Sequence, residues 1–472
     1  MNKPVDIKFT VNPPETAGDP LVFQRLLKEE TVPVPEYLKS VPPNFGNEDL
    51  DASRYTSRDF HRLEAQRLWP KTWQFVVREE EIPKPGDHVL YDIIDKSIIV
   101  MRGDDGVIRG FYNSCLHRGR ALRTQNGCAG QLKCPFHGFT WDLQGRFKSK
   151  PCEWDFQHVD NAKMELPQVR CESWGGFVFI HFDLDAPPLI EFLGVLPDHF
   201  KNYMMDRSCS IAHVQRRLAC NWKVGQEAFF EAMHTKATHP GIMTFTSDVD
   251  SQYDVFDDHI ARAITPMGVP SANLSGVDQA TVMRDMLILS GRMSSTDGDG
   301  HVLPEGVTAR QYVGELNRQM FSAISGQDLS QATLAELEDA ILYSVFPNFQ
   351  VWSGYFGNIV YRFIPDGDDH EHCLFDVYLL GRYPEGAACP PAAPLRRLGD
   401  DETFDKAPEI GALGDVFEED MRNLPHMMKG LKASRSGKLK LASYQESRIR
   451  HHHLTLDKYL GLGNQNAGKE AK

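Results

Sequence analysis

The order of apolar and polar positions divides the chain into three textures. The first fifty residues hold eight of the 29 prolines and show little periodicity, which predicts an extended arm. Ser57 to Trp69 places Phe60, Leu63 and Leu68 on one side of a helix, with Ser57 positioned as its N-cap. From about His88 to Phe182 the texture changes to short β-branched and aromatic runs. HVLYDII, SIIVM, VIRGFYN and GGFVFIHF alternate with turn signals such as GDDG, the pattern of a small antiparallel β domain.

Beyond residue 183 the two periods mix. Trp222 to His234 and Leu334 to Leu342 read as helices, and Gln252 to Ile264 as a strand pair. VWSGYFGNIVYRF and CLFDVYLLGRY read as long antiparallel strands, with SGYFGN as a turn. Asp415 to Lys432 is the final helix, Tyr383 to Asp401 a loop, and Gly461 to Lys472 a polar tail. His451, His452 and His453 sit in RIRHHHLTLDKYL and take a surface or packing role. Helices and strands do not alternate regularly, so the class is α+β, with no internal repeat. At 472 residues the chain exceeds what one core normally supports, so two domains or one large composite is expected.

Composition narrows the possibilities. Hydrophobic residues at 41 % and charged residues at 25 % are those of an ordinary globular protein. There is no apolar run near the roughly 18 residues of a membrane span. The start, MNKPVDIKFTV, lacks the basic flank and apolar core of a signal peptide, so a cytoplasmic location is expected. A net charge of −14 argues against a nucleic-acid binder and gives no reason to expect an anionic membrane surface as partner. The nine cysteines are odd in number and spread out, which suggests metal or catalysis rather than a disulfide framework. Cys128, Cys152, Cys171, Cys209, Cys220, Cys373 and Cys389 read as small buried hydrophobes.

Two constellations carry chemistry. In CLHRG and CPFHG, Cys115 and His117 are followed, after sixteen intervening residues, by Cys134 and His137, and each pair precedes a glycine. Two thiolates and two imidazoles serve either a structural zinc or an iron–sulfur cluster. Zinc knuckles usually group like ligands within a loop, whereas here each loop offers one of each. Arg118, Arg120, Arg123 and Lys133 crowd these loops in an otherwise acidic chain. In the second stretch, NWKVGQEAFFEAMHTKATHP, Trp222, Phe229 and Met233 share one helical face, while Glu227, Phe230, Glu231 and His234 share another. Two acids and a histidine on one side fit a solvated face, a reading that Phe230 and the nearby His239 make less comfortable. Downstream, Phe417, Met421, Leu424, Met428 and Leu431 form an apolar stripe with Asp420 at its edge, whereas Glu418, Glu419 and Arg422 point elsewhere. A carboxylate facing the core needs a partner, either a cationic side chain or a metal.

The words CLHRG, CPFHGFTWDLQG and WGGFVFIHF resemble the Rieske centre, in which two Cys hold one iron of a [2Fe–2S] cluster and two His the other. Together with the second stretch and Asp420, the chain resembles the Rieske non-heme iron oxygenases, the aromatic ring-hydroxylating oxygenase α subunits. That resemblance implies a small antiparallel-β Rieske domain inserted in a helix-grip (START-like) catalytic domain with an antiparallel sheet. The divisions would be 1–69 (arm and first catalytic-domain helix), 70–183 (Rieske domain) and 184–472 (catalytic iron domain). It implies Cys115, His117, Cys134 and His137 as cluster ligands, and His234, His239 and Asp420 as ligands of a mononuclear Fe(II). Glu231 would be the bridging carboxylate for electron transfer between subunits, where the family usually has Asp. Ala228 stands where many ring dioxygenases carry Asn. Arg120 and Phe136 occupy the places of the extra cysteines of respiratory Rieske proteins, so the loops look like the lower-potential oxygenase type.

The implied activity is hydroxylation of an aromatic or other apolar substrate with O2, by cis-dihydroxylation or monooxygenation. Glu at position 231 resembles the branch that cleaves C–N bonds of quaternary ammonium substrates, so N- or O-demethylation is the alternative. The implied partners are an NAD(P)H-dependent reductase, a ferredoxin, and further copies in a homotrimer, with or without a small β subunit (α3 or α3β3). The region from Gly241 to Phe346, including Met283, Met286, Leu287 and Phe321, is the most individual and the place to look for pocket walls.

Overall fold

The computed structural model describes residues 18–293 and 300–463, and the expected polar tail falls largely outside them. Helix α1 (Arg58–Arg67) begins where the sequence predicts, with the Ser57 side chain accepting the Phe60 N–H at 3.3 Å. Ten strands follow, in two small sheets. They are β1 (Gln74–Arg78), β2 (Asp87–Ile93), β3 (Lys96–Arg102), β4 (Ile108–Tyr112), β5 (Gly127–Cys128), β6 (Leu132–Lys133), β7 (Thr140–Trp141), β8 (Phe147–Ser149), β9 (Gln168–Trp174) and β10 (Phe177–His181). The larger sheet has the order β1-β10-β9-β4-β3-β2-β5, and β6-β7-β8 form the smaller one. Between them lies a compact core of Ile99, Met101, Phe111, Leu132, Phe139, Trp141 and Leu166 that also encloses Cys115 and Cys134.

The second body is built on an eight-stranded sheet: β11 (Ser208–Leu218), β12 (Gln252–Val255), β13 (Ile260–Thr265), β14 (Ala340–Val345), β15 (Phe349–Ser353), β16 (Ile359–Asp366), β17 (Asp369–Arg382) and β18 (Leu395–Arg397). Its order is β12-β13-β14-β15-β16-β17-β11-β18, antiparallel except for β18 on β11. β16 is buried along almost its whole length, which is why its sequence is nearly continuously apolar rather than alternating. The seven-stranded sheet docks here through side chains. Phe75 of β1 packs among Phe177, Phe179, Phe349 and Tyr378, and Arg362 of β16 donates to the Phe75 and Val76 carbonyls while pairing with Asp376 at 2.8 Å.

Across the sheet run α2 (Trp222–Glu227), α3 (Gln279–Leu289), α4 (Ala309–Ser325), α5 (Leu413–Met421), α6 (Leu424–Ala433) and α7 (Ser447–Leu460). The mixed α+β class is therefore as expected, but several elements differ. The helix expected over Trp222–His234 ends at Glu227, and a second, four-residue turn runs from Thr235 to Thr238. Only Leu334–Glu338 of the Leu334–Leu342 segment is helical; Ala340 onward joins the sheet, where β14 pairs with β13 and β15. The helix expected over Asp415–Lys432 is two helices broken at Arg422–Asn423, and it is not the last. α7 is, and there His451, His452 and His453 are all buried. β18 lies within the expected loop. Of the seven cysteines read as small buried hydrophobes, Cys209 of β11 and Cys389 form a disulfide with a Cα separation of 6.1 Å, and Cys128 and Cys152 are exposed. The fold brings Cys209 and Cys389 together when the loop returns to lay β18 along β11. Met283, Met286 and Leu287 fill a core between α3 and α4 with Phe245, Val282 and Val313, and Phe321 packs at the edge of the main sheet's core.

Candidate metal centres

The two Cys/His loops share one backbone design. In each, the residue four beyond the cysteine is a glycine with positive φ, Gly119 (74°) and Gly138 (81°), whose N–H returns to the cysteine carbonyl at 2.9 and 3.0 Å. The cysteine N–H in turn donates to the carbonyl five residues on, Arg120 and Phe139. Each turn aims backbone N–H groups at its own sulfur: those of His117 and Arg118 at Cys115, and those of Phe136 and His137 at Cys134. Burial works against a thiolate at Cys134, yet these N–H groups and the Cys115 thiol hold its pKa below the usual thiol value. Burial raises Cys115.

The thiols lie inside, at 3 % and 1 % exposure, while the imidazoles stand toward the surface. His117 and His137 meet edge to face with ring centroids 4.6 Å apart, and His117 stacks on Phe139. Nδ1 of His117 is buried and has no hydrogen-bond partner among the described residues, and burial with His137 holds the ring below the ordinary imidazole pKa. Facing sulfurs surrounded by N–H donors, beside a neutral imidazole with an unused nitrogen, are a donor set that fits a Rieske-type cluster.

The second centre is assembled by α2, the turn after it, and α5. Asn221 caps α2 by accepting the Lys223 N–H at 3.1 Å. A Cβ at Gly225 would stand only 3.1 Å from the Phe363 ring, so the missing side chain lets α2 lie directly on the sheet. After Glu227 the backbone leaves the helix because its polar groups find partners elsewhere. Arg448 of α7 donates to the Phe230 carbonyl at 3.0 Å, and the Tyr253 hydroxyl accepts the Ala232 N–H at 3.0 Å. Glu231 then accepts the His234 N–H at 3.1 Å, starting the next turn. The break overturns the helical faces read from the sequence: Phe230 is buried and Met233 is 41 % exposed.

His234 Nε2 and His239 Nε2 lie 3.6 and 3.1 Å from Asp420 Oδ1. One ligand atom from each of the three residues falls within 4.8 Å of the others, the one such group among the described residues. Asp420 is buried at the edge of the α5 stripe, with Phe417 fixed among Phe229, Tyr361 and Phe375. Each imidazole is held from behind by a glutamate, His234 Nδ1 to Glu231 at 2.8 Å and His239 Nδ1 to Glu419 at 2.7 Å. Burial opposes a charge on His234, but Glu231 and Asp420 push its pKa up to about 9. Two imidazole nitrogens and one carboxylate oxygen converging from one side are the donor set of a non-heme iron site with open positions.

Glu419 is the residue that the sequence left aside. Glu418, also set aside, pairs with Arg216 at 2.6 Å. Helical projection correctly turns both away from the apolar stripe but cannot name the neighbour each one meets.

Comparison with known proteins gives the family and the fold. A family model described as "Rieske [2Fe-2S] domain" matches residues 72–161, and one described as "Ring hydroxylating alpha subunit (catalytic domain)" matches residues 205–462. The glycine betaine monooxygenase oxygenase subunit of Chromohalobacter salexigens is 32 % identical over 212 residues, covering 44 % of this chain and 47 % of that protein. The chlorobenzene dioxygenase subunit alpha of a Cupriavidus species is 32 % identical over 196 residues, covering 40 % and 43 %. The chain thus spans about half the length of the curated relatives it matches. Among solved structures, the apo form of a quaternary ammonium Rieske monooxygenase shares the fold with a TM-score of 0.61 at 17 % identity, over 89 % of this chain and 99 % of that one.

Proposed function

The chain belongs to the ring-hydroxylating alpha-subunit family, with a Rieske [2Fe-2S] domain ahead of the family's catalytic domain, and from that premise we propose that it is the terminal oxygenase component of a multi-component system. The observation that carries the proposal is the convergence of His234, His239 and Asp420 on one point, with a glutamate behind each imidazole. In this reading Cys115, His117, Cys134 and His137 hold the [2Fe–2S] cluster, and His234, His239 and Asp420 hold a mononuclear Fe(II). When bound, the cluster supplies electrons one at a time and the iron supplies a site where O2 is activated beside an organic substrate.

The chain's own groups prepare that site. Glu231 and Glu419 accept the Nδ1–H of the two imidazoles, which orients both rings so that Nε2 faces Asp420 and would be the nitrogen each offers to a metal in place of its proton. Asp420 adds the single carboxylate, and the open side of a facial triad remains for the reactants. Glu231 also serves as the bridging carboxylate toward a neighbouring subunit's cluster, which makes a homotrimer part of the mechanism, with or without a β subunit. Electrons come from NAD(P)H through a reductase, with or without a ferredoxin between them.

The reaction is oxygenation of an aromatic or other apolar substrate. Glu231 favours a second reading, oxidative demethylation of a quaternary ammonium compound, and the similarity to a glycine betaine monooxygenase supports it alongside. O2 uptake with a reductase across candidate aromatics and amines separates the two, since demethylation releases formaldehyde and dihydroxylation a diol. Iron and acid-labile sulfide, with an EPR spectrum after dithionite reduction, test the core of the proposal; absence of a Rieske-type signal overturns it. Asp420→Ala is expected to lose the mononuclear iron while acid-labile sulfide is unchanged.

A further inference from the structure

The two glutamates behind His234 and His239 are not equivalent. Glu231 commits both carboxylate oxygens to His234, accepting the backbone N–H at 3.1 Å with one and Nδ1–H at 2.8 Å with the other. Its side chain is 11 % exposed. Glu419 uses only Oε2, on Nδ1 of His239 at 2.7 Å, and its side chain is 39 % exposed. Oε1 of Glu419 meets no donor among the described residues. His239 itself is buried. Glu419 therefore connects a buried imidazole of the site to the molecular surface and keeps an acceptor free there.

Orienting His239 takes one carboxylate oxygen, and burial would strengthen that hydrogen bond. The half-open side chain and its second oxygen suit a donor on another molecule. The cluster loops of a second copy offer one. With the buried Nδ1 of His117 given to the cluster, its Nε2–H is left to donate, and the neighbouring Arg118 and Arg120 are exposed cations that favour a carboxylate. The spacing also matches: the rings of His117 and His137 have centroids 4.6 Å apart, and those of His234 and His239, each with its glutamate, 5.2 Å. We infer that Glu419 is a second carboxylate bridge for electron transfer between copies of this chain. Oε1 accepts an N–H from a cluster imidazole of the neighbouring copy while Oε2 stays on His239. The inference rests on the oxygenase reading, in which Glu231 is the bridge, and adds an entry by way of His239. One electron leaves the neighbour's reduced cluster and arrives at the metal held by His234, His239 and Asp420. No bond is made or broken along the bridge, and no proton is exchanged.

The test compares the full, cluster-loaded chain with Glu419→Gln and Glu231→Gln at saturating Fe(II), with acid-labile sulfide confirming that the cluster is intact. An anaerobic redox titration followed by EPR gives the midpoint potential of the cluster. A carboxylate on a cluster imidazole disfavours the added electron, so Glu419→Gln is expected to raise that potential. Reductase-supported O2 consumption is expected to fall roughly 10-fold in the same variant. Slower consumption at an unchanged potential is what a purely orienting residue gives, and it overturns the inference. So does a raised potential with consumption unchanged, which would make the contact real but not the path. If only Glu231→Gln changes both readouts, the second entry falls and the reading with Glu231 as bridge stands. If neither variant moves the potential, the bridge between copies falls as well.

Discussion

Behind His239 stands Glu419, and behind His234 stands Glu231, so that each imidazole is clamped between a glutamate at Nδ1 and Asp420 at Nε2. A carboxylate on the far nitrogen raises the basicity of the near one and fixes the ring's orientation, and losing such a partner typically costs 10- to 100-fold in metal affinity. Glu419→Gln keeps an acceptor at that place but removes the charge. It is expected to weaken Fe(II) binding by roughly 10-fold, read by chelator competition on protein whose cluster is intact, while Glu419→Asp recovers part of the loss. Affinity unchanged in Glu419→Gln would make the contact incidental. The Cys/His loops could be read from sequence because each holds its residues within one short turn. Glu419 could not, because its partner lies 180 residues away.

At the scale of elements, the break after α2 shows where helical periodicity stops being informative. Trp222 to Glu227 follows the period, and the next seven residues leave it because Arg448, Tyr253 and Glu231 supply backbone partners no local pattern contains. The same physics hid the strand at Ala340 and the break at Arg422–Asn423, where Pro425 opens the following helix. β16 and the central part of β17, from Cys373 to Leu380, were legible, because burial on both faces writes itself as an apolar run. Glu227 at the end of α2 offers a test of how the helix is held. Its carboxyl meets the Tyr55 hydroxyl at 2.8 Å and His453 at 2.9 Å, and burial pushes its pKa up to about 8. The unfolded chain titrates this group near pH 4.3, so the folded state binds the extra proton. The stabilisation is full below that pH and is lost as pH rises through about 8. Glu227→Gln, which carries no charge at any pH, is expected to flatten that decline. Urea midpoints at pH 5 and pH 8 should differ less in the variant than in the unaltered protein, and an equal difference would contradict the assignment.

Across the whole molecule the two centres belong to different cores. The cluster loops pack into the small β core, while α2 and α5 pack into the main one. Among the described residues, no hydrogen bond or ion pair joins a member of one ligand set to a member of the other. Each centre instead has an exposed edge. Phe136, at 56 % exposure with Arg118 lying over it, and Leu116, at 37 %, stand at the cluster loops, giving them an apolar and cationic rim. Beside His234 and His239 are Met233, 41 % exposed, and the half-open Glu419, an apolar and acidic rim. Opposite charge around exposed apolar groups would suit a head-to-tail contact between copies, which closes into a ring where its rotation permits. If electrons cross that contact, a chain without its cluster and a chain without its iron should serve one another. Co-expressed Cys134→Ala and Asp420→Ala chains are expected to regain reductase-supported O2 consumption that neither shows alone, with EPR confirming that each retains its remaining centre. Mixed assemblies that stay inactive would place the electron path within a single chain, and the exposed rims would then need another explanation.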